Sequence, residues 1–407
     1  MPWDRGRRGA SVAKRALRVT TVAAAAQLGG TERVLLDFAA RAFEYEIALR
    51  VLTPRDGPLV AILNEIGVPT EVVPASAAML AGSQRAGRLW SAPAALAGLA
   101  AWARRLGRHR HMRDAEALYS VGFKPHLALA LLRRHPVVWH LHEYPPATTG
   151  AAWRTISRHG PDAMIANSEA TANAWRGRKG SVTVIPNGVD LDRFHPRPRT
   201  YWIHDRLGLP HTDRLIGMPA VFARWKGQME VISAFSVIGA RFSDVHLVFV
   251  GGSIYDTVAE REYATELEAA VRAANAGIHV LPFQPKIELT YPELDLVLHY
   301  SLRPEPFGRV ILEAMASGVP VIAAGEGGPV EILGKREARS GKCDTGWLVA
   351  PRHPEALAAT IEEALRLPAE DLDAMGAAAR GRAEDQFSAR QFARAVAEVI
   401  RNAALGQ

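Results

Sequence analysis

A chain of 407 residues is long enough for two domains of ordinary size, and 48% hydrophobic with 22% charged residues is the balance of a globular protein, not of a disordered or fibrous one. The single cysteine, Cys343, excludes an intrachain disulfide framework and a cysteine-cluster metal site, and suits a reducing cytosol. A net charge of +7 admits an anionic partner such as a bilayer or a charged ligand, but no nucleic-acid motif accompanies it, so nucleic acid is not expected.

The chain begins with Arg5, Arg7, Arg8, Lys14, Arg15 and Arg18 ahead of VTTVAAAA, which imitates a signal peptide. We read it as a basic tail running into a first core strand, Leu17 to Ala23, and no stretch reaches the roughly 18 apolar residues of a membrane-spanning helix. Further strands are expected in IALRVLT, PTEVVPA, EALYSVG, VVWHLHE, AMIANS and VTVIPNG, mostly separated by segments of helical period. The second half repeats the pattern with LIGMPAV, VHLVFVGG, IHVLPF, LDLVLHYS, VPVIAA and TGWLVA. Alternation of this kind predicts an α/β protein with parallel sheets covered on both faces, here two Rossmann-like domains facing across a cleft. Ligands of such sheets gather at the carboxyl ends of the strands.

Several stretches stand out in chain order. Gly29-Gly30 follows the first strand and would let the backbone turn tightly and approach a ligand before a helix with Val34, Leu35 and Phe38 on its apolar side. From Arg85 to Ala115, Leu89, Trp90, Leu96, Leu99 and Trp102 adjoin Arg104, Arg105, Arg108, Arg110 and Arg113. A helix of that kind either lies in an anionic membrane interface or packs on a core with a solvated arginine face. His109 and His111 have no neighbouring carboxylate in sequence, so no metal is expected there. His142 ends the VVWHLHE strand, the position where α/β sheets place functional side chains. Pro186-Asn187-Gly188-Val189-Asp190 tolerates the backbone angles of a chain leaving one sheet for another, and Asp190-Leu191-Asp192 only imitates a metal-binding carboxylate pair.

The most informative stretch is RPEPFGRVILEAMASGVPVIAA, Arg303 to Ala324. Glu305 lies in a Pro-flanked loop, Glu313 lies eight positions later in a helix, and that helix begins at Phe307-Gly308. A helix tip gathers unpaired amides and partial positive charge, so Gly308 and Arg309 suit phosphate oxygens. At about 1.5 Å per residue, Glu313 stands roughly 6 to 8 Å further on, where the ribose of a nucleotide would offer its diol. Glu305 remains on the other side of the phosphates, near the group to be transferred.

These residues, with Gly318, Pro320, Gly327, Gly328 and Glu331, resemble the signature of glycosyltransferase family 4, the retaining enzymes of the GT-B fold. The resemblance covers nearly the whole chain and is weakest between Val60 and Ala117. It implies an acceptor-side domain over 1–190, a donor-side domain over 191–386, and a segment 387–407 that crosses back to the first domain. It implies a nucleoside-diphosphate sugar as donor, with UDP or GDP left open, and a glycan, lipid-linked or small-molecule hydroxyl acceptor. It also implies a cytoplasmic enzyme, peripheral on the inner face of the plasma membrane in many relatives, with no cofactor and no catalytic metal. Lys226 matches the family's lysine on the diphosphate, but Val221 stands where an arginine is expected; Arg224 is the nearby substitute, with Arg303 or Arg309 as the alternatives. His142 would contact the donor sugar, Glu305 would orient it, and Glu313 would hold the ribose. Gly29, Gly30, Phe307, Gly308, Arg309, Gly327 and Gly328 would line the donor. Two other classes share the architecture: a nucleotide-sugar epimerase, and a non-catalytic membrane or glycan adaptor favoured by Val221 and the basic helix.

Overall fold

The computed structural model describes residues 15–81, 93–132, 135–145, 160–176, 182–254, 257–274, 277–334 and 341–406. In the first half, β1 (Leu17–Ala23), β2 (Ile47–Thr53), β3 (Thr70–Val72), β4 (Ala117–Val121), β5 (Val137–Leu141), β6 (Ala163–Ala166) and β7 (Val182–Val184) form one sheet in the order β3-β2-β1-β4-β5-β6-β7, parallel throughout. The VTTVAAAA run is thus a strand with a neighbour on each side, and residues 1–14 lie outside the described region. In the second half, β8 (Arg214–Val221), β9 (Val245–Gly252), β10 (Ile278–Pro282), β11 (Leu296–His299), β12 (Val321–Ala324), β13 (Lys342–Cys343) and β14 (Gly346–Val349) follow the order β10-β9-β8-β11-β12-β14-β13. The short antiparallel edge strand β13 is an addition to the sequence reading; two residues are too few to carry a periodicity. In both sheets the order reverses beside the first strand of the half, at β1/β4 and β8/β11, which opens a crevice at the strand ends.

The chain passes between the halves twice, side by side. The Val189 amide donates to the Phe387 carbonyl at 2.8 Å, and the Ala389 amide donates back to Val189 at 2.9 Å. Gly188 is required there because a Cβ would stand 2.6 Å from Ala389 Cα. The last helix, Ala389–Leu405, starts at a capping box of Ser388 and Gln391. Its buried stripe, Phe392, Ala393, Val396, Ala397 and Ile400, shares a core with Val19, Val138 and Ile165 of the first sheet. Asp190 accepts from Arg41 at 2.9 Å and from the Asp192 and Arg193 amides, so it shapes the crossing, and no metal-binding group of His, Cys, Asp and Glu occurs among the described residues.

Of the two readings of the basic helix, Pro93–Arg108, core packing accounts for Trp102, Leu99 and Leu106. Trp102 is 1% exposed, its indole N–H donates to the Val73 carbonyl at 2.8 Å, and Leu99 and Leu106 are buried with it. Protein covers the face that carries Leu99, Trp102 and Leu106, while Leu96, Arg104, Arg105 and Arg108 face solvent; Leu89 and Trp90 lie outside the described residues. Trp102→Ala is expected to destabilise the fold by about 3–5 kcal/mol in urea unfolding, the cost of emptying a large core site, whereas a lipid-facing tryptophan would leave the transition unmoved. His109 and His111 do meet a carboxylate in space: Glu71 of β3 stands 3.1 and 2.9 Å from their Nε2 atoms, in a hydrogen-bonded cluster where Arg110 is the ion-pair partner. No described helix is long and apolar enough to cross a membrane.

Candidate active site

Between the two sheets lies a cleft of about 260 Å³, lined from the first half by Gly29, Gly30, Arg33, His142, Asn167 and Asn187, and from the second by Val221, Lys226, Glu305, Phe307, Gly308, Arg309 and Glu313. Its floor is Glu305. Lys226 Nζ and Ser301 Oγ donate to Glu305 Oε2 at 2.7 and 2.8 Å, and His299 Nε2 stands 3.4 Å away. Burial opposes the charge on Glu305, but Lys226 and His299 outweigh it and hold the carboxyl far below the usual range, so it stays ionised. Lys226 is delivered by a single 3-10 turn, Arg224–Lys226, that ends in Gly227 at φ +77°, where a Cβ would meet the Tyr300 carbonyl at 2.3 Å.

The second acid sits where helix Arg309–Ala316 leaves Gly308, an N-cap at φ +110° with no side-chain cap on the first amides. Tyr291 O–H donates to Glu313 Oε2 at 2.9 Å, and Arg309 donates to Glu313 Oε1 at 3.2 Å. The Arg309 guanidinium, a candidate for the diphosphate, is instead taken up by carboxylates: beside Glu313 it reaches across the cleft to Asp37 of the first domain, at 2.7 Å. Burial opposes the Arg309 charge, yet Asp37 and Glu313 keep it protonated more firmly than usual.

On the facing wall, Gly29 has an ordinary φ of −80°, and a Cβ on Gly30 would meet only Arg309 Cδ, at 3.9 Å. The pair therefore serves to leave room rather than to permit a forced turn. In the next turn, burial pushes the Glu32 carboxyl up to about 7. His142 directly follows β5, and burial, helped by the Arg309 charge, pushes its imidazole down to about 3, so it is neutral at working pH. Among the described residues, His142 Nε2, Asn167 Oδ1 and Asn187 Oδ1 are buried without hydrogen-bond partners, three polar atoms suited to hydroxyl groups of a ligand. The sequence reading did not include Asn167 or Asn187 as site residues, although Asn167 directly follows β6 as His142 follows β5, and Asn187 lies three residues past β7. Arg33 was missed too. Among the described residues its guanidinium has no ion-pair or hydrogen-bond partner, and it lies over the Phe283 ring at 6.0 Å.

Two assignments change. Arg224 is an exposed side chain paired with Glu266 on helix Val258–Ala274, over the Tyr263 ring and outside the cleft; Arg303 is exposed and outside it as well. Gly327 and Gly328 do not line the cleft but brace Glu305 from behind. The Gly328 amide donates to the Glu305 carbonyl at 2.8 Å, and a Cβ on Gly327, at φ +80°, would stand 2.2 Å from that same oxygen.

The chain matches two family models, "Glycosyltransferase Family 4" over residues 28–193 and "Glycosyl transferases group 1" over 202–382. A D-inositol 3-phosphate glycosyltransferase of Streptomyces avermitilis is 31% identical over 55% of this chain and 48% of its own. A GDP-mannose-dependent alpha-(1-6)-phosphatidylinositol monomannoside mannosyltransferase of Mycolicibacterium smegmatis is 28% identical over 66% of this chain and 70% of its own. The chain spans about half the length of the inositol-phosphate relatives it matches. In fold it is similar to Anabaena Alr3699/HepE, solved with UDP and glucose, at a TM-score of 0.78 and 24% identity, covering 95% of this chain and 99% of the other. With the switch-point cleft and its two glutamates already in place, these matches lead to one statement of kinship: the chain belongs to the family 4 glycosyltransferases of the GT-B fold.

Proposed function

We propose that the protein is a retaining glycosyltransferase that moves a sugar from a nucleoside-diphosphate sugar to a hydroxyl acceptor in the synthesis of a polysaccharide, glycolipid or small glycoside. The observation that carries this reading is the joining of a part-buried Glu305–Lys226 pair, an uncapped helix tip at Gly308 and the Glu313 carboxylate in one cleft. Lys226 and the Gly308 and Arg309 amides stabilise the departing diphosphate, Glu313 takes the ribose diol, and His142, Asn167 and Asn187 meet hydroxyls. The anomeric C–O bond breaks with its electron pair leaving on the diphosphate oxygen, the acceptor oxygen bonds to the same face of the anomeric carbon, and its proton passes to the leaving phosphate. An ionised Glu305 and a neutral His142 fit that sequence, since neither is a general acid for the leaving group.

A cytoplasmic, membrane-peripheral setting with a lipid-linked acceptor is in keeping with the phosphatidylinositol mannoside relative and the exposed arginines of helix Pro93–Arg108. Arg33 supplies from the first domain a positive charge that the second lacks at Val221. Arg33→Ala is expected to weaken nucleoside diphosphate binding about tenfold, as loss of a charge-assisted contact does, and Val221→Arg to restore it in that background. The whole reading is tested by incubating the protein with a panel of UDP and GDP sugars, measuring nucleotide release, and recording the anomeric configuration of the product by NMR. An inverted product would remove the retaining mechanism, and an epimerised donor would move the chain to the epimerase class.

A further inference from the structure

Behind the cleft, the loop that carries Glu305 is tied to the first domain by contacts that the transfer chemistry does not use. Tyr144 O–H donates to the Glu305 carbonyl at 3.4 Å, and Ser168 Oγ donates to the neighbouring Pro306 carbonyl at 2.7 Å. Beside them lies the N-terminus of helix Glu169–Trp175 in the first domain. A helix start leaves its leading amides, here those of Glu169, Ala170 and Thr171, without partners inside the helix. Here the Thr171 amide donates to the side chain of its own N-cap, Ser168, at 3.0 Å, and the Ala172 amide closes the first turn on the Ser168 carbonyl at 2.9 Å. The remaining two are satisfied from the other domain. The Glu169 and Ala170 amides donate to the two carboxylate oxygens of Glu331 at 2.7 and 2.9 Å. Glu331 lies on helix Gly328–Leu333, which starts with the glycine whose amide holds the Glu305 carbonyl.

We propose that Glu331 is a positioning residue that latches the domains closed: its carboxylate completes the N-terminal cap of helix Glu169–Trp175 across the cleft and thereby fixes the Glu305 loop in its working place. A carboxylate at a helix N-terminus gains from the helix dipole and from two charge-assisted bonds. Opening the cleft gives up both bonds at once, and water has to replace them. Glu331 itself lies outside the cleft lining, so its effect on the reaction passes through the Gly328 amide and the Pro306 carbonyl.

This inference rests on the glycosyltransferase reading for its kinetic arm and is independent of it for its structural arm. The test uses the full chain with Glu331→Ala, Glu331→Gln and, from the opposite side, Glu169→Pro. Proline is tolerated at the first position of a helix and deletes one of the two amides, and Ser168 already has the extended backbone that precedes a proline. Small-angle scattering without nucleotide should show a larger radius of gyration for Glu331→Ala than for wild type, with Glu331→Gln and Glu169→Pro between them. Turnover with the accepted donor should fall about tenfold or more in Glu331→Ala while the Kd for nucleoside diphosphate stays within about twofold, and Glu331→Gln should recover part of the loss. Unchanged scattering and turnover in both Glu331→Ala and Glu169→Pro would overturn the latch. A wild type that fails to use any nucleotide sugar would instead overturn the transferase reading, with the scattering comparison still deciding the latch.

Discussion

Glu305→Gln is expected to lower sugar transfer by about two to three orders of magnitude, the scale on which loss of one preorganised charged contact at a reacting centre is felt. The substitution keeps the shape of the side chain and its contact with Ser301, but removes the charge that Lys226 faces at 2.7 Å with both side chains 13% exposed. An ammonium left in that setting without a counter-ion destabilises the fold by about 3–5 kcal/mol. A bound diphosphate restores a negative charge beside Lys226, so UDP or GDP should raise the melting temperature of the variant more than that of the wild type. The pH dependence has a definite sign. The folded carboxyl titrates below its unfolded value of 4.5, so the stabilisation by Glu305 is complete above that value. It is lost as pH falls through the depressed folded value. The stability difference between wild type and Glu305→Gln should therefore be full at pH 7 and shrink only in acid. Transfer at the wild-type rate by Glu305→Gln would end the role assigned to this residue.

Glu313→Ala is expected to weaken binding of UDP or GDP by about 10- to 100-fold, the value of one or two hydrogen bonds to a charged group. The control is pyrophosphate, which has no ribose and should bind the variant as it binds the wild type in calorimetry. Equal losses for the nucleotide and for pyrophosphate would move Glu313 from the ribose to the phosphates. The substitution also leaves the buried Tyr291 hydroxyl without its acceptor, while Arg309 keeps Asp37. A cost of about 1–3 kcal/mol in stability is expected from the orphaned hydroxyl. Running the titrations well below the melting temperature separates this cost from the binding loss.

The strand segments and the helix tip at Gly308 were legible because the signals that encode them are local: a period of two, a glycine at a cap, a proline-flanked loop. Arg224 shows where local reading ends. It precedes Lys226 by two residues in one 3-10 turn, and at three residues per turn two such side chains cannot share a face. Lys226 takes the cleft and Arg224 goes to Glu266. Trp102 shows a second limit. The amphipathic pattern of its helix states that one face is covered, yet protein and lipid write the same pattern.

By itself the sequence determined the two-domain α/β layout, the loop and helix that carry Glu305 and Glu313, and the strand end that carries His142, since each depends on residues within a few positions of one another. Only the tertiary structure decided that Arg309 meets Asp37 from 272 positions away, that Glu331 caps a helix of the opposite domain, and that Gly327 and Gly328 stand behind Glu305. Those contacts depend on how two sheets face each other across a hinge, and no short-range periodicity or turn chemistry encodes which distant side chains that geometry brings within 3 Å.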